Sequence, residues 1–152
     1  MPINIKNFLL SKNKKSKIGD FQDLEHVDGV ALSAISANLY KESRDDLVLF
    51  YFRDGANYAS VYTQSKIISE NIKWNLNLKA NSIKALLVNA GNANSFTGKL
   101  GFKGITQIAE ALSKELTIKM SEDEEKKNSV KSGEILFGST GKIGETFPAE
   151  KI

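Results

Sequence analysis

Two glycine-rich stretches constrain this chain more than anything else in it: AGNANSFTGKLGFKG over 90–104 and GSTGKIG over 138–144. Each follows directly on a short apolar run, Ile83–Asn89 (IKALLVN) and Glu134–Phe137 (EILF), of the length of a buried strand. The first stretch leads into Ile105, Ile108, Ala109, Leu112 and Leu116. Their spacing by three and four puts them on one face of a helix. Strand, glycine-rich turn and helix in that order are the repeating unit of α/β proteins, in which ligands collect at the carboxyl ends of the strands. Glycine lets the backbone come close to a ligand, and unpaired N–H groups at a helix start can hold negative charge.

The rest of the chain fills in a mixed sheet. Val27–Ala37 (VDGVALSAISA) is small, apolar and β-tolerant, and predicts a strand or a strand pair with a bulge. Asp46–Phe52 (DLVLFYF) predicts a strong strand. Arg53-Asp54-Gly55-Ala56-Asn57 then carries turn signals, and Tyr58–Thr63 (YASVYT) is the expected hairpin partner. Gln64–Asn81 is polar with weak periodicity and predicts a short helix or an irregular segment. Ser121–Ser132 is a charged connector. Phe147 to Ile152 looks like a helix start, with Pro148 near its first position. So few residues cannot hold a helix alone. The pattern therefore predicts an irregular basic arm over 1–19 and a single, incomplete α/β domain over 20–152.

Composition narrows the chemistry. The chain has 152 residues and no cysteine, which excludes disulfides, thiolate nucleophiles and zinc–sulfur sites. Its single histidine, His26, is one imidazole with no second histidine to share a metal, so no metal site is expected. The net charge of +3 is uneven. Lys6, Lys12, Lys14, Lys15 and Lys17 make residues 1–19 a +5 arm, which leaves −2 for the remainder. The arginine and aromatic interleaving of an RNA-binding face is missing, and the arm predicts a solvated lead-in without a nucleic-acid partner. No apolar run approaches the ~18 residues of a membrane span. The lysines follow the short amino-terminal apolar patch, the wrong order for a secretory signal, so the expected location is the cytoplasm.

The glycine-rich turns match neither common nucleotide motif. A phosphate-binding P-loop needs Gly five residues before the Gly of its Gly-Lys pair and Ser or Thr after the Lys. Around Gly141-Lys142 those places hold Leu136 and Ile143. Gly98, Gly101 and Gly104 are spaced by threes, unlike a dinucleotide fingerprint. What remains at 138–144 is a hydroxyl, on Thr140, beside an unobstructed N–H, on Gly141. The two could cradle the oxyanion of an acyl-transfer reaction, or Thr140 could simply cap a tight turn. Asn89, Asn92 and Asn94 carry the same pair of readings. Asparagine bonds its own backbone and tolerates left-handed geometry, and clustered amides can also hold a small polar ligand.

Taken together the segments point further. Ala85–Gly98 (ALLVNAGNANSFTG), a helix, and Ile135–Ile152 (ILFGSTGKIGETFPAEKI) resemble the α-chain of the glutamate N-acetyltransferase family, also called ornithine acetyltransferases. Val27-Asp28-Gly29-Val30, Asp46–Leu49 and Ala59–Thr63 are similar to the family's first strands, so the resemblance covers about residues 27–152. It implies an α/β fold with a mixed sheet, part of an αββα sandwich of the ornithine acetyltransferase/aminopeptidase type. It implies a multifunctional enzyme of arginine biosynthesis, made as a precursor that cleaves itself before a threonine. That threonine takes acetyl from N-acetylornithine and passes it to glutamate. Some members use acetyl-CoA as co-substrate, and no other cofactor is implied. The oxyanion hole maps onto Thr140 and Gly141. The implied partner is a β-chain from the same precursor, in an α2β2-type heterotetramer.

The chain also departs from the family. Ser60 and Tyr62 stand where Gly and Phe are usual, Ser65 where Asn is usual, and Glu70-Asn71-Ile72 near an absent Ala-Pro-Val run. The nucleophile does not map: it follows an alanine, and none of Thr63, Thr97, Thr106, Thr117, Thr140 and Thr146 does. An oxyanion hole without a nucleophile stabilises a transition state that never forms, so these residues alone are expected to be inactive. Two other functions fit the same residues: a self-cleaving aminopeptidase of this fold, and a non-catalytic small-molecule-binding domain.

Overall fold

The computed structural model describes residues 26–121 and 129–152, with the backbone alone at 118–121. The basic arm over 1–19 and most of the charged connector lie outside the described residues. Four strands form one mixed sheet in the order β1 (Val30–Ile35), β2 (Leu47–Asn57), β3 (Ser82–Asn89) and β4 (Ile135–Ser139). β1/β2 and β2/β3 are antiparallel, and β3/β4 are parallel. α1 (Glu70–Asn77) precedes β3. α2 (Gly98–Ser121) makes the crossover between the two parallel strands, and a short 3-10 turn at Ser132–Glu134 leads into β4.

The strand over Val27–Ala37 is shorter than the sequence suggests, but it is there. The expected turn at Arg53–Asn57 is not. β2 runs straight through it with a register shift between Tyr51 and Ala56, so the Asp54-Gly55 signal makes a bulge within the strand. Tyr58–Thr63 is not a strand, and Val61 is almost fully exposed. The partner of β2 is β3. Pairing there sets Val48 against Val88 and Phe50 against Leu86, which YASVYT could not match in apolar area. Arg53 secures the bulge, donating its backbone N–H to Gly29 O (2.8 Å) while its guanidinium spans Asp28 and Asp54. At the other end of the chain Phe147–Ile152 forms a turn rather than a helix. Ala149 N–H bonds Phe147 O (3.0 Å) and Lys151 N–H bonds Pro148 O (3.0 Å).

Alternation divides the sheet into two faces. Leu47, Tyr51, Ala85, Leu87, Ile135 and Phe137 face the helices and close a core with Ile105, Ile108, Ala109 and Leu116 of α2. The helix face expected from the spacing is thus the buried one, with Leu112 only partly covered. The opposite face carries Val48, Phe50, Phe52, Leu86, Val88 and Leu136, which are also apolar and only partly covered. A sheet that is apolar on both faces belongs between two layers. No helix of the described residues is long and apolar enough to cross a membrane.

Candidate active site at the ends of β3 and β4

Because β3 and β4 are parallel neighbours, their loops leave the same edge of the sheet side by side. The register carries on past the strands and zips the loops together. Thr140 N–H donates to Asn89 O (3.0 Å), Lys142 N–H to Gly91 O (3.1 Å), Ala93 N–H to Lys142 O (2.9 Å) and Gly144 N–H to Ser95 O (2.9 Å). Two stretches separated by α2 in the sequence thus become one surface.

The three asparagines hold that surface from inside. Asn89, Asn92 and Asn94 are buried. Asn89 Nδ2 donates to Asn92 O (2.9 Å). Asn92 Nδ2 reaches Glu145 O (3.2 Å) and Thr146 O (3.1 Å), and its Oδ1 accepts from Asn94 N–H (2.7 Å). Asn94, at φ +47°, donates to Gly101 O (3.3 Å) and accepts from the Thr97 hydroxyl (2.6 Å). Of the two readings open in the sequence, loop fixing is the one this geometry matches, since the amides are spent on protein groups.

Thr140 and Gly141 are different. Both are exposed. Among the described residues neither the Thr140 hydroxyl nor the Gly141 N–H has a hydrogen-bond partner. Gly141 has φ +131°, and a Cβ there would collide with the backbone of Gly91 and lie 2.6 Å from Asn92 N. Only glycine fits, so the sharp turn that presents two unspent donors is encoded by residue type. Lys142, beside them, pairs with Glu145 across an exposed 3.1 Å contact.

The shifted titrations lie elsewhere. The Arg53 guanidinium, by hydrogen bond and then by charge, holds the Asp28 carboxyl below its ordinary value at the far end of the sheet. Burial pushes the Tyr51 phenol up. Among the described residues no group of three or more metal-ligating side chains comes together. An apolar groove of about 500 Å³ runs between the sheet and α2, lined by residues such as Ile35, Leu49, Leu87 and Leu112, and touches neither loop.

Sequence reasoning missed two groups that shape the site: Asp46, a buried carboxylate at the start of β2, and Asn75 with Trp74, which bond the outer edge of β4. Asp46 reads as the polar first residue of a strand, and only its hydrogen bonds set it apart.

The fold defines a mixed α/β protein whose candidate site lies at the carboxyl ends of two parallel strands. The chain belongs to the ArgJ family, whose profile matches residues 31–152. The arginine biosynthesis bifunctional protein ArgJ of Gluconobacter oxydans is 34% identical over 131 residues, which are 86% of this chain and 28% of that protein. The protein of the same name from Bradyrhizobium diazoefficiens is 35% identical over 131 residues, 86% of this chain and 29% of that one. The chain therefore spans less than a third of the length of these curated relatives. Among solved structures, ArgJ of Bacillus halodurans superposes with a TM-score of 0.67 at 25% identity, over 82% of this chain and 59% of that one. An ornithine acetyltransferase from Mycobacterium tuberculosis, complexed with ornithine, does so with a TM-score of 0.67 at 26% identity, over 82% and 62%.

Proposed function

We propose that this chain supplies the oxyanion-binding part of an ornithine acetyltransferase that moves acetyl from N-acetylornithine to glutamate in arginine biosynthesis. The observation that carries this reading is the pair of exposed donors on Thr140 and Gly141, without partners among the described residues, on a turn that only glycine can make. Family membership and the ornithine bound to the Mycobacterium tuberculosis relative support the substrate class. In the reaction a threonine hydroxyl attacks the acetyl carbonyl of N-acetylornithine. The oxyanion lies between the Thr140 hydroxyl and the Gly141 N–H. The carbon–nitrogen bond then breaks, and the hydroxyl proton leaves with the amine as ornithine. The glutamate amine takes the acetyl group from the threonine ester in the reverse sense. Donors placed in advance where charge develops lower the barrier without reorganising.

The nucleophile comes from outside these residues. Thr97, Thr106 and Thr117 spend their hydroxyls on Asn94 Oδ1, Phe102 O and Ser113 O, and none of the chain's threonines follows an alanine. The reading therefore includes a β-chain cleaved from a common precursor, in an α2β2-type assembly that covers the second apolar sheet face, and a cytoplasmic location. Acetyl-CoA serves as an alternative donor, and no prosthetic group takes part. The test is an assay of the assembled enzyme with N-acetylornithine and glutamate. Ornithine and N-acetylglutamate should form in equal amounts, and their absence overturns the reading.

A further inference from the structure

Asp46 is 3% exposed, and no lysine or arginine among the described residues pairs with it. Its charge is met by backbone instead. Oδ1 accepts from Ala37 N–H (2.6 Å) and Oδ2 from Leu39 N–H (2.7 Å). Its own carbonyl accepts from Ala90 N–H (2.8 Å), and its N–H donates to Ile35 O (3.0 Å). One residue thus ties the 37–40 loop to the first residue after β3. Charge-assisted bonds of this kind are stronger than neutral ones, and a buried carboxylate loses much if either fails.

The loop it folds is pressed against the site. Asn38 sits at φ +54°, and Lys151 Nζ donates to its carbonyl (3.3 Å). Arg44 stacks over the Tyr40 ring at 4.4 Å. A Cβ at Gly91, which has φ +97°, would lie 3.2 Å from Leu39 Cβ and 3.3 Å from Tyr40 Cε2. The other side of Gly91 is the backbone against which Gly141 is packed, and its carbonyl holds Lys142 N–H. Gly91 is therefore clasped between the 37–40 loop and the oxyanion turn.

We infer that Asp46 is a positioning residue for Thr140 and Gly141, acting through Leu39, Tyr40 and Gly91. The inference rests on the acyl-transfer reading for its kinetic consequence, but not for its structural one. Asp46→Asn is the sharpest probe. It keeps the shape, but its amide nitrogen must face one of two N–H donors.

Hydrogen exchange followed by mass spectrometry on the assembled protein gives the structural answer. The amides of Thr140, Lys142 and Gly144 are bonded across the loops and report on their closure. In Asp46→Asn, exchange in peptides spanning 37–44 and 138–144 should both rise by about tenfold. Leu116→Ala, a buried change in the second half of α2, serves as a control for lost stability and should leave 138–144 unchanged. A rise confined to 37–44, or an equal rise in the control, overturns the inference. If Asp46→Asn does not fold, Tyr40→Ala keeps the carboxylate and removes the ring against Gly91. It must then raise exchange at 138–144, and a flat result is equally decisive. With acetyl transfer as readout, Asp46→Asn should lower kcat about tenfold and leave KM within about twofold, the pattern of an interaction made in the transition state. An unchanged kcat overturns the catalytic consequence. Absence of transfer by the wild-type assembly defeats the proposed function, while the exchange data still decide the role of Asp46.

Discussion

Asn75 pairs with Phe137 as a neighbouring strand would. Its Oδ1 accepts from Phe137 N–H (3.0 Å) and its Nδ2 donates to Phe137 O (2.8 Å). Trp74 Nε1 extends the pattern to Ile135 O (2.9 Å), and its ring packs edge-on against Phe137. Two side chains of α1 thereby finish the outer edge of β4, which would otherwise offer unpaired backbone groups to another chain. Asn75→Ala should cost about 2–3 kcal/mol, because it strands two part-buried backbone groups. A urea midpoint that does not move counts against this role. Asn75→Asp puts an oxygen opposite the Phe137 carbonyl and should lose at least as much.

Thr140→Ala in the assembled enzyme should lower kcat by roughly 100-fold or more, the range seen when one oxyanion donor is removed. The Thr140 side chain is exposed and bonds nothing among the described residues, so the melting temperature should hardly change. Normal turnover in a folded Thr140→Ala enzyme removes the hydroxyl from the mechanism.

Gly141→Ala should behave in the opposite way. At φ +131° and against the Gly91 backbone, the added methyl cannot be placed without moving one loop off the other. Stability and turnover should fall together. A crystal structure of the variant with both loops unmoved would refute the argument.

Asn92→Ala removes the donor to two carbonyls and the acceptor for Asn94 N–H. At 5% exposure little water can replace them, and the expected loss is about 3 kcal/mol in denaturant titration. Asn92→Asp keeps the acceptor and loses both donors, so it should not restore stability.

The Asp28 carboxyl should titrate below the ordinary aspartate range because Arg53 bonds it and attracts it. A folded-state pKa below the unfolded one contributes stability above the unfolded value of about 3.9, and that contribution fades as pH falls through the folded value. Both groups are exposed, so the contribution is small and weakens with salt. Stability curves of wild type and Asp28→Asn should converge once the pH falls below the lowered folded-state value of Asp28. A gap that persists there would show that the substitution acts through packing.

Local pattern made much of the architecture legible. The runs at Asp46–Phe52, Ile83–Asn89 and Glu134–Phe137 are strands, and Ile105, Ile108, Ala109 and Leu116 form the buried helix stripe. Arg53–Asn57 misled because a Gly-containing turn signal and a bulge share a local conformation. Which one forms depends on whether the next segment or a distant one offers the better apolar partner, and β3 outweighs Tyr58–Thr63.

By itself the sequence determined the elements with strong periodicity, the family and the two glycine-rich loops. These follow from residue type and near-neighbour spacing, the scale on which side-chain size and backbone freedom act. Only the tertiary structure decided that β4 lies parallel to β3, so that loops separated by α2 zip into one surface. It alone decided that three asparagines spend their side-chain amides inward while the Thr140 hydroxyl and the Gly141 N–H have no partner among the described residues. It alone made Asp46 and Asn75 more than polar residues near strands. Each of these depends on which distant backbone groups lie within 3 Å or so, and hydrogen bonding at that range is directional and steep in distance.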